Sequence, residues 1–275
     1  IKWHVTKNFK YLCYMSVIAG FVALIRPTEI LILVIPLLYQ VNSITAFTAK
    51  INELLTLRWK LLIVGILFLL PLIPQFLFWK SFAGQYLFFS YGSNERFFFG
   101  DPKIYSVLFG WHKGWFVYTP LALLMVAGLV MMWFRWKRMA LPLTVYLLFN
   151  IYIVSSWWDW GFGGAYGMRA LVQTFAFMAV PLAFFIKWTF SVTTLKRRIP
   201  LLTVSFAAYL FCIALNFIQM SQIRNSMFHW DSMTKEAYWF TFMKTHYTEA
   251  DREHLKTLLK KPDYKAMRKG DRDER

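Results

Sequence analysis

A glycine-rich loop between two apolar runs holds the residues best suited to binding a ligand. It extends from Trp157 to Arg169 and contains Gly161, Gly163, Gly164 and Gly167. Glycine lets backbone N–H groups approach a ligand closely or form a nest for an anion. Arg169 stands where the next apolar run begins, and its planar guanidinium can hold a phosphate through two hydrogen bonds. The alternative is an arginine that extends to the lipid headgroups behind an aromatic belt, and the residue types leave both interpretations open.

The same loop contains a carboxylate between two tryptophans. Asp159 lies between Trp158 and Trp160. Apolar surroundings raise the pKa of a carboxyl group, as a general base requires, so Asp159 is the best acid–base candidate in the loop. A single carboxylate is nevertheless a weak signal for catalysis. Trp157, Trp158 and Trp160 are candidates for stacking on a sugar or a prenyl chain, and an interfacial aromatic belt is the alternative.

Further charges occur next to other apolar runs. Arg26 and Glu29 stand three residues apart in an Arg-Pro-Thr-Glu turn that interrupts a long apolar stretch. Charges at such a place are costly and therefore paired with each other or functional, so Arg26 is a second candidate for a phosphate. Lys113, which follows His112, is a candidate for contact with a phosphate or with lipid headgroups.

Motifs for several other chemistries are missing from the sequence. The histidines lie too far apart for the usual zinc spacing, so we predict no metal site, although a divalent cation at a phosphate site stays open. There is neither a P-loop nor a nucleophile elbow, which disfavours an ATPase or a serine hydrolase. We expect no cofactor.

The composition indicates which elements position these residues. Of the 275 residues, 58% are hydrophobic, 20% aromatic and 16% charged. A soluble domain has about 25% charged residues, so this chain needs lipid as part of its solvent. The net charge of +17 comes from short basic stretches between apolar runs, as in cytoplasmic loops, so we predict no nucleic-acid partner.

The apolar runs predict an all-α fold, a polytopic transmembrane helical bundle with about seven spans and a short polar carboxy-terminal tail. The stretch Phe9 to Gln40 provides two short spans that turn at Arg26. The other predicted spans are Trp59 to Trp79, Trp115 to Phe134, Ala140 to Ser156, Ala170 to Trp188 and Ile199 to Met220.

The basic stretches set the orientation, since cytoplasmic loops carry an excess of lysine and arginine. They contain Lys2, Lys7 and Lys10, then Lys50, Arg58 and Lys60, then Arg135, Lys137 and Arg138, and finally Lys196, Arg197 and Arg198. With these inside, the turn at Arg26, the loop Ser155 to Arg169 and the tail lie outside.

We therefore divide the chain into a transmembrane domain, residues 1–220, and an extracytoplasmic polar tail, residues 221–275. Thr248 and Asp251 have the spacing of a capping box, which predicts an amphipathic helix from Glu249 to Lys260. A surface helix with a disordered end is the simplest interpretation of the tail.

Three stretches on the predicted outer face resemble motifs of one family. The turn from Leu24 to Glu29 is similar to an Arg-Pro-Thr turn, although asparagine is commoner at the last place. The stretch from Lys113 to Pro120 is similar to Arg/Lys-Gly-Leu-Phe-x-Tyr-Ser/Thr-Pro. The stretch from Trp160 to Arg169, with Pro181 downstream, is similar to Trp-x-x-Gly-Gly-x-x-Gly-x-Arg. In this order they resemble the membrane glycosyltransferases of the C superfamily, in particular bacterial relatives of the protein mannosyltransferases, glycosyltransferase family 39.

The resemblance covers about Phe9 to Met220. It implies a polyprenyl-phosphate sugar donor, inverting transfer to an extracytoplasmic acceptor, and a place in the bacterial inner membrane with a periplasmic tail. It also implies a catalytic acid in an outer loop that lies upstream of Ile1, so we expect this chain to be the carboxy-terminal portion and to lack its general base. The implied phosphate site contains Arg169, Arg26, Lys113, Gly163, Gly164, Gly167 and Trp160.

A non-enzymatic function is the alternative: a transporter or flippase of lipid-linked substrates, or a subunit that associates with another membrane protein. A transporter predicts buried mid-membrane charges and an inverted repeat. The predicted spans have few central charges and no repeat, which favours the transferase.

Overall fold

The computed structural model describes residues 2–89, 91, 95–192 and 194–272. Ile1, the side chain of Arg197 and the last three residues of the predicted tail lie outside this part. Within it the protein is all-helical, as predicted, without a strand, and an isolated antiparallel bridge joins Phe97 to Trp157. The α-helices, labelled in chain order, are α1 (Lys2–Thr6), α2 (Phe9–Ile25), α3 (Val34–Leu38), α4 (Ile44–Leu55), α5 (Lys60–Leu69), α6 (Ile73–Ala83), α7 (Ile104–Phe109), α8 (Trp115–Tyr118), α9 (Leu121–Arg135), α10 (Lys137–Ser156), α11 (Phe175–Ser191), α12 (Leu195–Arg224), α13 (Lys235–Thr241), α14 (Glu249–Leu258) and α15 (Tyr264–Lys269).

Several helical segments are long and apolar enough to cross a membrane. Among the described residues, four meet this criterion by length and composition: Lys60–Ala83, Lys137–Ser156, Arg169–Ser191 and Arg198–Arg224. Shorter apolar helices, Phe9–Ile25, Pro27–Leu38 and Leu121–Arg135, lie at the other three predicted spans. Membrane-spanning potential is therefore present in the fold, and the count of seven crossings stays a prediction.

The predicted span that begins at Trp115 is interrupted near its start. The helix α8 ends at Tyr118, and α9 begins only at Leu121. Pro120 has no N–H to donate and forces the preceding residue out of the helical region, so Thr119 adopts φ −136° and ψ 69°. This break separates the short helix α8 from the apolar helix α9.

The chain divides into two compact units. The first comprises residues 1–92 and 133–149. Its helices α2 and α5 approach closely because small residues face the contact, as the Ser16 hydroxyl donates to the Val64 carbonyl and a Cβ on Gly20 would clash with the backbone of Phe68. After α2, Arg26 and Glu29 form an ion pair with Nη1 and Oε1 3.9 Å apart, across the turn that opens the 3₁₀ segment Pro27–Leu33.

The second unit comprises residues 93–132 and 150–275, and it contains the chain after Met220. The predicted capping box is confirmed: Asp251 N–H donates to Thr248 Oγ1 at 3.2 Å, and Thr248 N–H donates to Asp251 Oδ2 at 2.8 Å. The capped helix α14 ends at Leu258, slightly earlier than predicted. The carboxyl-terminal segment, residues 225–272, packs against Tyr118 through a buried cluster that contains Met227, Phe228, Met233, Ala237, Tyr238 and Leu255.

Candidate functional site

The glycine-rich loop follows α10 and is held at its start by the preceding chain. Trp158 N–H donates to the Arg96 carbonyl at 3.1 Å, and Phe98 N–H donates to the Ser156 carbonyl at 2.6 Å. The loop then turns through left-handed backbone at Phe162, Gly163 and Gly167, with φ of 56°, 58° and 53°. Gly167 has a second reason to be glycine, since a Cβ would lie 3.0 Å from the Cβ of Tyr118.

Lys113 lies beneath this loop, in the turn between α7 and α8. Lys113 is only 1% exposed, and its ammonium donates a hydrogen bond to the carbonyl of Gly163. Burial lowers the pKa of Lys113 to about 8; Asp231 and Asp159 oppose this shift, and the positive charge of Arg169 adds to it. Lys113 and the glycine-rich loop are thus in direct contact, and the phosphate as a ligand of Lys113 stays a prediction.

Asp159 is also buried, at 8% exposure, near the same ammonium. Burial raises its pKa above the usual value, despite the opposing charge of Lys113 and a hydrogen bond from the Gly163 backbone. The apolar surroundings inferred from the neighbouring tryptophans therefore have the predicted effect on this carboxyl group.

A second carboxylate, Asp231, was missed by the sequence analysis. It lies between α12 and α13 and is 5% exposed. The hydroxyl of Tyr264 donates to its Oδ2 at 2.5 Å, and its backbone N–H donates to His229 Nδ1 at 3.0 Å. Burial acts to raise the pKa of Asp231, but nearby His112, the Tyr264 hydrogen bond and the charge of Lys113 outweigh burial and lower the pKa.

His112 lies between the two carboxylates. Its Nε2 is 3.6 Å from Asp231 Oδ1. On another side a Cβ on Gly161 would lie 3.0 Å from His112 Cε1 and 3.5 Å from Asp159 Oδ1, so a larger residue would crowd the His112 ring. The ring also meets Trp160 edge to face, with centroids 5.4 Å apart.

Arg169 is exposed, unlike the groups beneath the loop. It begins the 3₁₀ turn Arg169–Thr174, and its backbone N–H donates to the Gly167 carbonyl at 3.0 Å. Its guanidinium makes no hydrogen bond or ion pair within the described part of the chain, while its charge acts on Lys113. Solvent and ligands can therefore reach Arg169.

The loop tryptophans lie deeper than ligand stacking requires. Trp157, Trp158 and Trp160 are all buried, so in this structure they support the loop, and their stacking on a ligand stays a prediction. The exposed aromatic beside the loop is Trp230, at 53% exposure, whose Cε3 would lie 2.9 Å from a Cβ on Gly164. Its neighbour Asp231 follows a tryptophan just as Asp159 does, which is the sequence signal that could have identified it.

The remaining candidate, Arg26, belongs to the first compact unit, where it pairs with Glu29. The structure thus brings together Lys113, Asp159, Gly163, Gly164, Gly167, Trp160 and Arg169 in the second unit. Among the described residues, no group of three or more histidines, cysteines or carboxylates is placed to hold a metal ion.

The fold and site together define an all-helical protein with helices of membrane-spanning length. Under its glycine-rich loop lies a buried cluster of positively and negatively charged side chains. Comparison with protein-family models, with curated proteins and with solved structures gave no match to this chain. An exposed cation above a second, buried cation, beside a glycine-rich backbone, is suited to binding a phosphate group.

Proposed function

We propose that this chain is the donor-binding part of an integral membrane glycosyltransferase, which moves a sugar from a polyprenyl phosphate to an extracytoplasmic acceptor. The observation that carries the proposal is Arg169: an exposed guanidinium without a hydrogen-bonding partner in the described chain, at the end of a glycine-rich loop that rests on Lys113. A phosphate bound there would complete the unused hydrogen-bonding capacity of the guanidinium.

The two cations then serve the chemical step. A hydroxyl oxygen of the acceptor attacks the anomeric carbon, the bond from that carbon to the phosphate oxygen breaks, and the polyprenyl phosphate leaves with the electron pair. Arg169 and Lys113 stabilise the negative charge that develops on the phosphate. The proton of the acceptor hydroxyl passes to a carboxylate, for which Asp159 is the candidate within this chain.

The proposal includes a membrane arrangement. The apolar helices cross a bacterial inner membrane about seven times, the basic stretches lie in the cytoplasm, and the glycine-rich loop and carboxyl-terminal segment lie in the periplasm. Support comes from the apolar helices at all seven predicted positions. Arg26 is proposed as a second phosphate ligand, on the resemblance alone.

The test compares substitutions of Arg169 with a matched arginine. We expect Arg169→Lys and Arg169→Ala to weaken binding of a polyprenyl-phosphate sugar roughly tenfold to a hundredfold, because lysine cannot reproduce the planar fork of a charged hydrogen-bond donor. Arg224→Lys, at the exposed end of α12, is the control and should bind the donor like the wild-type protein. Binding is measured by isothermal titration calorimetry in nanodiscs, and transfer by release of radiolabelled sugar.

Two results would contradict the proposal. Wild-type donor affinity in Arg169→Ala would leave Arg169 as an arginine that merely reaches the headgroups. Donor binding followed by movement of intact donor across a vesicle membrane, without transfer of the sugar, would favour the flippase.

A further inference from the structure

We propose that Asp231, contributed by the carboxyl-terminal segment, is a positioning residue of the phosphate site: it lies against the His112 ring and balances the ammonium of the neighbouring Lys113. The inference deepens the proposed function and rests on it for the identity of the ligand. Because Asp231 belongs to the carboxyl-terminal segment, phosphate binding then requires this segment to be folded against the turn between α7 and α8.

The position of Asp231 is fixed from several sides. Tyr264, at the start of α15, donates to one carboxylate oxygen at 2.5 Å, and the backbone N–H of Asp231 is held by His229 at 3.0 Å. The other carboxylate oxygen faces His112 Nε2 at 3.6 Å, and both of these atoms are buried and make no hydrogen bond within the described part of the chain. A carboxylate constrained in this way presents its charge to the turn that carries His112 and Lys113.

The ammonium of Lys113 needs a negative charge nearby because the group that it contacts directly, a backbone carbonyl, is neutral. Its ammonium donates to the Gly163 carbonyl, and an uncompensated ammonium at this burial would tend to lose its proton. The charged groups acting on Lys113 are Asp231, Asp159 and Arg169, of which Arg169 carries the same sign and weakens the ammonium.

The two carboxylates are not equivalent in this respect. Burial raises the pKa of Asp159, which favours its neutral form, whereas the surroundings of Asp231 lower its pKa and keep it charged. Asp231 is therefore the dependable negative charge beside Lys113. Removal of this charge should make Lys113 neutral at a lower pH, and a neutral amine no longer attracts a phosphate.

The experiment measures phosphate binding against pH in the full chain. The probe is farnesyl methyl phosphate, a diester whose single negative charge does not change between about pH 6 and about pH 9, and tryptophan fluorescence reports its binding. In the wild-type protein we expect affinity to fall around pH 8, the pKa of Lys113. In Asp231→Asn the midpoint of this fall should move down by about one pH unit, and in Asp231→Glu, which keeps the charge, it should lie close to the wild-type value. Tyr264→Phe should produce a smaller shift in the same direction.

Asp251→Asn is the control, because it removes a carboxylate of the same segment that caps α14 and pairs with Lys244. Asp251→Asn perturbs the segment without removing charge beside Lys113. The pH midpoint of phosphate binding in this variant should therefore match that of the wild-type protein. An equal shift in Asp251→Asn would mean that any weakening of the segment moves the midpoint, and it would overturn the specific role of Asp231.

A second measurement needs no ligand. Trace acetylation of Lys113, quantified by mass spectrometry across the same pH range, reports its protonation directly. A lower midpoint in Asp231→Asn supports the inference even if the diester does not bind the wild-type protein, in which case the proposed function fails alone. An unchanged acetylation midpoint in both Asp231→Asn and Tyr264→Phe overturns the inference, whether or not the diester binds.

Discussion

Replacement of Arg272 by methionine should free the end of the carboxyl-terminal segment. Arg272 is buried, with a side chain that is 0% exposed, and its guanidinium donates to the carbonyls of Ser155 and Trp157 at 3.0 and 3.1 Å. It also lies 5.0 Å from the ring centroid of Phe98 and 3.3 Å from Asp101 Oδ2. These contacts tie the segment to the start of the glycine-rich loop.

The expected loss follows from these contacts. Two hydrogen bonds from a charged donor contribute about 1.5 kcal/mol each at the lower limit, and the aromatic contact adds about 0.5 kcal/mol. The ion pair adds about 0.5 kcal/mol at most, because Asp101 is half exposed. Methionine avoids the cost of burying a charge, so the net loss of local stability is about 3 kcal/mol, or roughly a hundredfold in the opening equilibrium.

Hydrogen–deuterium exchange of the α15 amides measures this equilibrium, because exchange there requires local opening. The matched control is Arg268→Met, four residues earlier. Arg268 is 43% exposed and pairs with Glu95 at 2.8 Å, so its loss should cost about 1 kcal/mol or less and raise exchange about fivefold at most. Equal exchange in Arg272→Met, Arg268→Met and the wild-type protein would show that the buried guanidinium does not anchor the segment.

Three further expectations concern the loop, the buried lysine and the topology. Gly167→Ala should reduce the free energy of unfolding by about 1–3 kcal/mol and so lower the unfolding temperature in a calorimetric scan, because φ is 53° and the new Cβ would meet Tyr118. An unchanged unfolding temperature would mean that the loop relaxes to accept the new side chain. The pKa of Lys113 is 10.5 in the unfolded chain and about 8 in the folded protein, so between these values the unfolded state binds more protons and the free energy of unfolding should rise with pH. Urea unfolding from about pH 7 to about pH 11 should show this rise in the wild-type protein and not in Lys113→Met. A rise that persists in Lys113→Met would belong to another group. A membrane-impermeant thiol reagent added outside should label Ala165→Cys but not Lys137→Cys, and strong labelling at 137 would reverse the proposed orientation.

Local sequence signals predicted much of the helical framework. The apolar runs marked the helices because run length and composition act locally, and the Thr248 to Asp251 spacing marked the cap of α14 for the same reason. The boundaries were less accurate where proline intervenes, as at Pro120, which separates α8 from α9. A run of apolar residues does not show where a proline breaks the helix within it.

The site was predictable only in part, because part of it depends on contacts between distant residues. Gly163, Asp159 and Arg169 lie in one loop, and Lys113 was identified by its position before an apolar run. Asp231 and Tyr264 reach the site from the carboxyl-terminal segment, which the sequence suggested was a polar tail with a disordered end. Its methionines and aromatic residues pack on Tyr118 instead, and no local pattern specifies that partner.

The opposite pKa shifts of Asp159 and Asp231 give the two carboxylates different capacities at one site. Both follow a tryptophan and both are buried near Lys113, yet only Asp231 receives the hydroxyl of Tyr264. The lowered pKa of Asp231 keeps it charged beside the ammonium, while the raised pKa of Asp159 gives it the higher affinity for a proton, as a group that accepts a proton requires. This difference depends on the folded carboxyl-terminal segment, since Tyr264 and Asp231 both belong to it. A segment that follows the last apolar helix thus determines the charge state of a site built around residues far earlier in the chain.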